Sequence, residues 1–363
     1  MKKSFKKFLI YLLVLCTIVT WALPSLATSA VNMPYVIHEK TSSENLGPGI
    51  VYENTKKFTS KGWWNINVVR VDLTNEYAEI KGLMSSKGIS SRDTVSNMVT
   101  NNKAVAGVNG DFFDYSPVPS PIGGFIEDGN MISSPVEKTY AWPTLLIDDS
   151  NKAEITLLDR KMSATSVNTA GTVIINTVNK LKPNFEGVAL FNKYWGAKSP
   201  GNSYYDDLVE VVVEDNVVKD VRIGKEPVDI TENNYVIAAR GVYKDNLIKF
   251  FNVGDAVNLD VTTAPNLENI KFAIGGGSII LKDGVPTATH HNIKGDQPRT
   301  GIGITKDEKE LIIATIDGRG TSYKGVSQEM FGAILKDLGA YNAINLDGGG
   351  STTMAVKPVD EQV

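Results

Sequence analysis

The sequence has very few residues of the two types that most often bind zinc or act as nucleophiles. Of its 363 residues, one is cysteine and three are histidine. Because Cys16 lies in the N-terminal apolar segment, we expect the mature chain to have no disulfide, no thiolate nucleophile and no cysteine-ligated metal. With only His38, His290 and His291 available, a histidine-ligated zinc site is not expected either. His290 and His291 lie in a polar stretch that suits a solvated loop or a role in acid/base or phosphate chemistry.

An excess of charge of either sign is also absent, and so are the usual catalytic signatures. The net charge is −4, and basic residues do not cluster beyond the N-terminus. We therefore expect no nucleic acid partner and no attraction to an anionic membrane surface. The sequence has no G-x-S-x-G elbow, P-loop, H-E-x-x-H motif or EF-hand loop. Acid/base chemistry would therefore depend on carboxylates.

The one long apolar run stands at the N-terminus. A basic stretch, MKKSFKK, precedes FLIYLLVLCTIVTWAL, and the small residues of PSLATSA follow. This order is typical of a signal peptide with cleavage after Ser29 or Ala30, although an uncleaved membrane anchor is the alternative. We expect residues 1–30 to be removed and the protein to be secreted or cell wall-associated, without stable membrane insertion.

The remainder of the chain is predicted to form a single large domain over residues 31–355. The composition of the full sequence, 42% hydrophobic and 21% charged, is that of an ordinary globular protein. Residues 357–363 are polar and resemble the start of a linker or tail. The sequence gives no indication of the oligomeric state.

Strands and helices are predicted along most of this domain. Residues 62–73 and 77–85 are rich in β-branched and aromatic residues and are predicted strands. Residues 123–133 and 207–224 are predicted hairpins that turn at Asp128-Gly129 and Asp215-Asn216. Helices are predicted at residues 90–102, with Ser91 as the N-cap, and at residues 327–340, with Ser327 as the N-cap and Gly339 at the C-terminus.

The order strand, helix, strand over residues 311–347 is long enough for a crossover between parallel neighbouring strands. Asp317 and Asp347 would then end neighbouring strands, at the edge where open α/β sheets bind ligands. The predicted fold class is α+β, with a mixed, twisted β-sheet and helices packed on it.

Glycines adjoin polar residues at the ends of several predicted strands. The stretches are GVNGDFF, AIGGGSII, QPRTGIGI with TIDGRG, and NLDGGGST. One such stretch alone is chiefly a turn. Several together are better explained by a pocket in which the backbone comes close to a ligand.

Charged side chains in these stretches are the candidate catalytic groups. The acid/base candidates are Asp111, Asp317, Glu329 and Asp347. Arg299 and Arg319 can bind a phosphate through two parallel hydrogen bonds, but each also suits a structural salt bridge. Glu329 is alternatively explained by the dipole of its helix. Carboxylates together with two arginines suit the hydrolysis of a glycosyl phosphate.

Four motifs together resemble the phosphodiester glycosidase family. They are GVNGDFFD, PRTGIGIT, TIDGRG and GVSQEMFGAILKDLGAYNAINLDGGGSTTM, and the resemblance spans residues 90–356. It implies hydrolysis of a sugar-1-phosphodiester with release of the sugar. The motif positions that carry over are Asn109, Gly275, Gly276, Gly277, Arg299, Asp317, Arg319, Glu329, Asn345, Asp347 and Ser351.

The resemblance leads us to expect Asp347, Glu329 and Asp317 as catalytic residues. Asp111, Thr300 and the other motif positions are expected to bind substrate. Gly348, Gly349 and Gly350 are expected to form a turn whose N–H groups face the anionic diester. No metal ligand is assigned and no cofactor is certain, although a divalent cation such as Ca²⁺ or Mg²⁺ stays open.

The leading hypothesis is a secreted glycosidase that acts on a sugar-1-phosphodiester, resembling a GlcNAc-1-phosphodiester, in a bacterial envelope glycan, teichoic acid or exopolysaccharide. One alternative is a non-catalytic protein for glycan binding or exopolysaccharide assembly. Another is a metal-dependent phosphodiesterase that uses Asp111, Asp317 and Asp347 as oxygen ligands. The expected partner is in each case a glycosyl phosphate or a polysaccharide.

Overall fold

A computed structural model of the chain describes residues 31–137, 142–182, 184–287 and 294–357. From Met33 onward these residues form one compact unit. No helix in these ranges has both the length and the apolar character needed to cross a bilayer. The predicted signal peptide, His290, His291 and nearly all of the predicted tail lie outside the described residues, so the domain boundaries stay predictions.

The largest sheet has eight strands, and its strands come from both ends of the chain. Every neighbouring pair is antiparallel. Its strands in spatial order are β1 (Val36–Gly47), β2 (Ile50–Thr59), β3 (Gly62–Asp72), β23 (Glu310–Ile316), β22 (Arg299–Ile304), β24 (Asn342–Asn345), β20 (Ser278–Lys282) and β21 (Val285–Pro286).

The predicted crossover over residues 311–347 joins parallel strands, but the prediction that these strands are neighbours is wrong. β22 and β23 are joined by a short turn and pair as a hairpin, so β22 occupies the place beside β23. β24 then pairs with the other edge of β22. Since β23 and β24 both run antiparallel to β22, their carboxyl ends still lie at the same edge of the sheet. Asp317 and Asp347 therefore follow strands that end at one edge, although the strands are not neighbours.

The remaining strands in the described part of the chain form five smaller sheets. One has the order β10 (Ala153–Thr156), β9 (Thr144–Asp148), β19 (Ile270–Gly275), β7 (Phe125–Glu127) and β8 (Asn130–Ser133). A second has β13 (Thr177–Val178), β14 (Val188–Phe191), β17 (Asn234–Ala239), β15 (Val209–Glu214) and β16 (Val217–Ile223). The others are β12 (Thr172–Ile174), β11 (Asp159–Ser166) and β18 (Val257–Ala264), then β4 (Ala106–Val108) with β25 (Met354–Val356), and β5 (Phe113–Asp114) with β6 (Ser120–Pro121).

The fold-class prediction is therefore confirmed only in part. Helices do pack on a sheet, but the chain is predominantly β and is organised in several sheets. Among the named strands of the described residues, only β13 and β14 pair in parallel. The single mixed sheet of the prediction is thus replaced by sheets that are almost wholly antiparallel.

The helices of the described residues are few and short. They are α1 (Val95–Asn101), α2 (Lys244–Phe250) and α3 (Gln328–Asp337), with 3₁₀ turns at Gly201–Ser203, Gly241–Tyr243, Leu267–Asn269 and Gly349–Ser351. The predicted N-cap of α3 is confirmed, because the Ser327 side chain accepts the Met330 N–H. Gly339 has a positive φ of 106°, as predicted for the end of this helix. The Ser91 prediction is wrong, since Thr94 caps α1.

Both predicted hairpins are confirmed, with their turns at the expected pairs of residues. The predicted strand at residues 77–85 is wrong, because these residues are irregular. Ala78, Ile80 and Met84 nevertheless pack against the core that covers the central sheet. Their apolar pattern thus reflects burial of a loop and not pairing in a sheet.

One face of the central sheet is covered by α3. A Cβ added at Gly301 on β22 would lie 2.9 Å from the Phe331 ring of this helix, so the glycine allows the helix to pack closely. The other face carries an apolar band in which Val69, Ile313, Ile302 and Ile344 stand opposite one another on four strands. This band belongs to a large core cluster.

Candidate active site

The apolar band on the central sheet gives way to polar residues toward the carboxyl ends of β23 and β24. Asn67 on β3 and Thr315 on β23 face each other, two residues from the apolar pair Val69 and Ile313. Thr315 also faces Thr300 on β22. Residues directly opposite in an antiparallel sheet point to the same face, so these side chains form a polar row. Asp317 follows β23 at this edge and Asp347 follows β24.

Asp347 is half-buried at the start of the glycine turn. Its N–H donates to Gly110 O (3.0 Å), and its Oδ1 accepts the Gly348 N–H (2.9 Å). Burial raises the pKa of the Asp347 carboxyl, and hydrogen bonds from Ser351 and Gly348 oppose that rise. A raised pKa makes a carboxylate a stronger base, which suits it to accepting a proton.

Asn109 holds Asp347 in place. Its Nδ2 donates to Asp347 O (2.7 Å), while its Oδ1 accepts the Thr300 hydroxyl (2.8 Å) and the Thr353 N–H (3.1 Å). Both ends of the Asn109 amide are therefore used inside the protein. Asn109 and Thr300, which are expected to bind substrate, instead join three segments of chain behind Asp347.

Arg319 is exposed and lies against the glycine turn. Its Nε donates to Gln297 Oε1 (2.7 Å). A Cβ added at Gly349 would lie 2.7 Å from Arg319 Nη2, and Gly349 has a φ of +62°. Close approach and positive φ both favour glycine at this position.

The amides of the glycine turn are mostly engaged by the protein itself. Gly348 N–H donates to Asp347 Oδ1, and Gly349 N–H donates to Pro298 O (2.9 Å). The prediction that all three N–H groups face a substrate is therefore wrong for Gly348 and Gly349. In place of an anion-binding nest, the turn provides a platform for the Arg319 guanidinium.

Arg299 and Glu329 lie beside this platform. Arg299 is 1% exposed, with Nε donating to Val326 O (3.0 Å) and Nη2 to Gly295 O (2.8 Å). Burial lowers the pKa of Arg299 to about 10, and the nearby Glu329 carboxylate opposes this effect. The contacts of Arg299 are those of a structural cation, and its phosphate-binding role stays a prediction.

Asp317 faces a separate small pocket of about 220 Å³. Its Oδ2 accepts Asn65 Nδ2 (2.7 Å), and its N–H donates to Asn65 O (3.1 Å). Asn65 lies on β3, in a part of the sequence where no motif was identified. The structure thus places Asp317 with the N-terminal strands and two residues from Arg319.

Asp111 is held by several donors next to a lysine. Its Oδ2 accepts the Gly123 N–H, and its Oδ1 accepts the Phe112 N–H (2.8 Å) and Trp142 Nε1 (3.3 Å). Lys180, which is 4% exposed, donates to Gly123 O (2.9 Å) and to Ile122 O. Burial raises the pKa of Asp111 and lowers the pKa of Lys180, while their mutual attraction opposes both shifts.

Sequence reasoning missed Lys180 and Trp142. Lys180 lies in no motif, and 68 residues separate it from Asp111 in the sequence. No local pattern could have linked a lysine to an aspartate at that distance. With its carboxylate surrounded by protein donors, Asp111 has the contacts of a structural residue.

The glycines at 275–277 allow neighbouring backbones to touch. A Cβ added at Gly275 would lie 2.6 Å from Gly123 Cα, and one at Gly277 would lie 2.7 Å from the Phe112 ring. The N–H groups of Gly275, Gly276 and Gly277 donate to Gly124 O, Pro143 O and Asn345 O. The close approach expected of these glycines is thus an approach to protein atoms.

Asn345 is 2% exposed at the end of β24, and its Nδ2 donates to Leu346 O (3.1 Å). Within the described ranges, its buried Oδ1 has no hydrogen-bond partner. The same ranges contain no group of three or more His, Cys, Asp or Glu side chains close enough to hold a metal ion. Asp111, Asp317 and Asp347 therefore do not form the ligand set of the metal-dependent alternative.

The sequence matches a family model described as phosphodiester glycosidase over residues 207–363. This match confirms the resemblance inferred from the motifs for the C-terminal part of the chain. No curated protein sequence matches the chain significantly.

Several solved structures resemble this one. A hypothetical protein from Synechocystis has a TM-score of 0.73 at 20% identity, over 87% of this chain and 59% of its own, so this chain spans less than two thirds of that protein. A protein from Burkholderia pseudomallei K96243, described as a candidate exported protein, has a TM-score of 0.75 at 16% identity, over 92% of this chain and 94% of its own. These two structures show a shared fold.

The catalytic domain of zebrafish N-acetylglucosamine-1-phosphodiester alpha-N-acetylglucosaminidase, auto-inhibited by its pro-peptide, is also similar. Its TM-score is 0.42 at 15% identity, over 91% of this chain and 76% of its own.

Proposed function

We propose that this protein hydrolyses a sugar-1-phosphodiester at the edge of the central sheet, releasing the sugar and leaving the phosphate on the other partner. The observation that carries the proposal is the position of the exposed Arg319 guanidinium against the turn that begins with Asp347. Two segments of the chain thereby bring together a cation that can bind a phosphate and a carboxylate that can activate water.

The proposed chemistry follows from these two groups. Arg319 binds the phosphate oxygens and stabilises the charge that develops as the C1–O bond breaks. Phosphate is a good leaving group, so its protonation matters less than it does for an ordinary sugar alcohol. Asp347 activates the water that attacks C1 or itself attacks C1, and Ser351 and Asn109 keep it oriented.

The roles of the other carboxylates are narrower in this proposal. Glu329 is the second candidate for the acid/base group, and its proximity to Arg299 favours an electrostatic role there. Asp317 lies on the side of the small pocket and is assigned to substrate binding. Action outside the cell on an envelope glycan, teichoic acid or exopolysaccharide rests on the predicted signal peptide.

The decisive experiment is incubation of the purified protein with chromogenic phosphodiesters of GlcNAc-1-phosphate, glucose-1-phosphate and galactose-1-phosphate. Release of free sugar supports the proposal. Release of sugar phosphate would instead indicate cleavage of the P–O bond by a phosphodiesterase. No turnover of any of the three, together with binding of them, would indicate a non-catalytic glycan-binding protein.

A further inference from the structure

The small pocket beside Asp317 combines residues of the family motifs with Tyr52 and Asn67, which lie on strands that no family motif covers. Asn54, Asn67, Thr315 and Thr300 stand opposite one another on β2, β3, β23 and β22. This row crosses four strands on one face, at the point where the apolar band ends. A run of amides and hydroxyls in this position is unusual for a face that is otherwise core, since buried polar groups require partners.

Hydrogen bonds within this row fix the direction of each amide. Tyr52 OH and Asn54 Nδ2 both donate to Asn67 Oδ1 (2.9 and 2.8 Å). Asn54 Nδ2 also donates to Asn65 Oδ1 (2.9 Å), and Asn65 Nδ2 donates to Asp317 Oδ2 (2.7 Å). The acceptor of Asn67 is thus saturated.

The same network leaves both a hydrogen-bond donor and a hydrogen-bond acceptor free to bind a ligand. Within the described part of the chain, the Asn67 Nδ2 donor and the Asp317 Oδ1 acceptor have no protein partner. The Thr352 hydroxyl, also on this pocket, is buried without a partner among the same residues. A buried hydroxyl without a partner has a free-energy cost that a bound polar group can remove.

The pocket holds about 220 Å³ and is lined by Tyr52, Asn67, Thr315, Asp317, Thr352, Thr353, Met354 and Val356. No cationic side chain is among these residues, so the pocket does not suit a phosphate. A donor amide, an acceptor carboxylate, hydroxyls and an aromatic ring are the groups that match a polyol, because each sugar hydroxyl both donates and accepts.

Chain continuity places this pocket beside the proposed reaction centre. Thr352 directly follows Ser351, which bonds to Asp347, and Asp317 precedes Arg319 by two residues. Thr353 N–H is bound by Asn109, the residue that also holds the Asp347 backbone. A ring in the pocket and a phosphate on Arg319 would therefore meet near Asp347.

We infer that this pocket is the subsite for the sugar ring and that Asn67 and Asp317 bind its hydroxyl groups, with Tyr52 orienting Asn67. This inference rests on the proposed function, because it assigns one part of the same substrate. It adds that sugar recognition depends on β2 and β3 of the N-terminal region.

The test uses two conservative variants with matched controls. Asn67→Asp keeps the acceptor for Tyr52 and Asn54 but replaces the Nδ2 donor, and Tyr52→Phe removes only the hydroxyl that orients Asn67. Asn258→Asp, on an exposed part of β18, and Tyr77→Phe, which is 73% exposed, are the controls. Binding of free N-acetylglucosamine, glucose and galactose is measured by saturation-transfer NMR and calorimetry, beside KM and kcat on the phosphodiesters.

We expect at least one free sugar to bind the wild-type protein and to bind Asn67→Asp about tenfold more weakly, with an equal rise in KM and melting temperatures unchanged. Tyr52→Phe should show a smaller loss of sugar affinity, and both controls should show none.

If wild type hydrolyses a sugar phosphodiester while Asn67→Asp keeps its KM and sugar affinity, the subsite assignment is wrong and the proposed function stands. A third outcome is that wild type binds a sugar but hydrolyses none of the phosphodiesters, and that Asn67→Asp loses the sugar binding. This result would support the subsite and refute the proposed reaction. Failure of all three sugars to bind wild type would overturn the inference.

Discussion

Arg319 lies so close to Gly349 that a methyl group at position 349 would stand 2.7 Å from its guanidinium. The position of the Arg319 guanidinium therefore depends on the glycine at 349, because the missing side chain makes room for the cation. Arg319 itself has a φ of 60°, in the region that is uncommon for residues other than glycine. Strained backbone of this kind clusters at functional sites, which is consistent with the role proposed for this arginine.

Asp347→Asn should abolish hydrolysis of a sugar phosphodiester, with kcat/KM falling by about a thousandfold or more because the group that activates water is lost. The fold should persist, since asparagine can still accept the Gly348 N–H. Asp337→Asn, at the exposed end of α3, is the control and should change nothing. Near-normal turnover by a folded Asp347→Asn protein would show that another carboxylate is the catalyst.

Arg319→Lys should lower kcat/KM by about a hundredfold or more, because a lysine cannot form two parallel hydrogen bonds with a phosphate. The melting temperature should change little, since the side chain is exposed. Arg92→Lys, also exposed, is the matched control. Equal kinetics for Arg319→Lys and wild type would remove the phosphate role from this residue.

Arg299→Lys should chiefly lower the stability of the folded protein. It loses the hydrogen bonds to Val326 O and Gly295 O in a buried site, for a cost of about 2 to 3 kcal/mol in the free energy of unfolding. Urea denaturation measures this difference. A variant with unchanged stability and strongly reduced kcat would instead support the phosphate-binding role predicted from the sequence.

The pH dependence of activity should reflect Asp347. Burial raises the pKa of this carboxyl, so the ionised base is present above that raised value and is lost as the pH falls through it. The acidic limb of kcat/KM should thus lie above the value of about 3.9 for an exposed aspartate.

Asp347 should affect the stability of the protein with the opposite pH dependence, because its contribution to the free energy of unfolding falls as the pH rises. Because the folded state binds the Asp347 proton more tightly than the unfolded state, its contribution is complete below the unfolded pKa and declines as the pH rises through the folded pKa. Urea denaturation of wild type and Asp347→Asn over this range measures the difference. Identical pH profiles of stability would contradict the raised pKa.

Lys180→Met should destabilise the protein by about 3–5 kcal/mol, because it leaves Ile122 O and Gly123 O without their donor and removes the charge that favours the ionised Asp111 carboxyl. The double variant Asp111→Asn/Lys180→Met should lose less stability than the two single variants together. Lys182→Met, at an exposed neighbouring position, is the control. Strictly additive losses in urea denaturation would mean that Asp111 and Lys180 do not interact.

Local patterns predicted several elements correctly. The hairpin turns at Asp128-Gly129 and Asp215-Asn216 and the Ser327 cap of α3 depend on a few adjacent residues, and all are confirmed. The order of strands depends on which segments meet over long distances. The prediction that the two strands of the 311–347 crossover are neighbours is wrong for that reason, since β22 takes the place beside β23.

The same distinction applies to the site. The motif residues Asp347 and Arg319 lie at the edge of the central sheet where hydrolysis is proposed. The roles of individual motif residues depend on partners from distant segments. Asp111 meets Lys180, and Asp317 meets Asn65, 252 residues away in the sequence. No local pattern in the N-terminal strands indicated Tyr52, Asn65 or Asn67, because amides and a tyrosine on a strand are common on any solvated face.

The pairing of β3 with β23 has a consequence for how the protein folds. These strands are joined by seven register pairs, yet they lie more than 230 residues apart in the sequence. Contacts of such long range must wait for slow closure of the intervening chain, so formation of the central sheet should limit the folding rate. Until β23 has been synthesised, β1, β2 and β3 can form no more than a meander in which the edge of β3 is also unpaired. The pocket beside Asp317 therefore forms only at the last stage, after nearly the whole chain has been made.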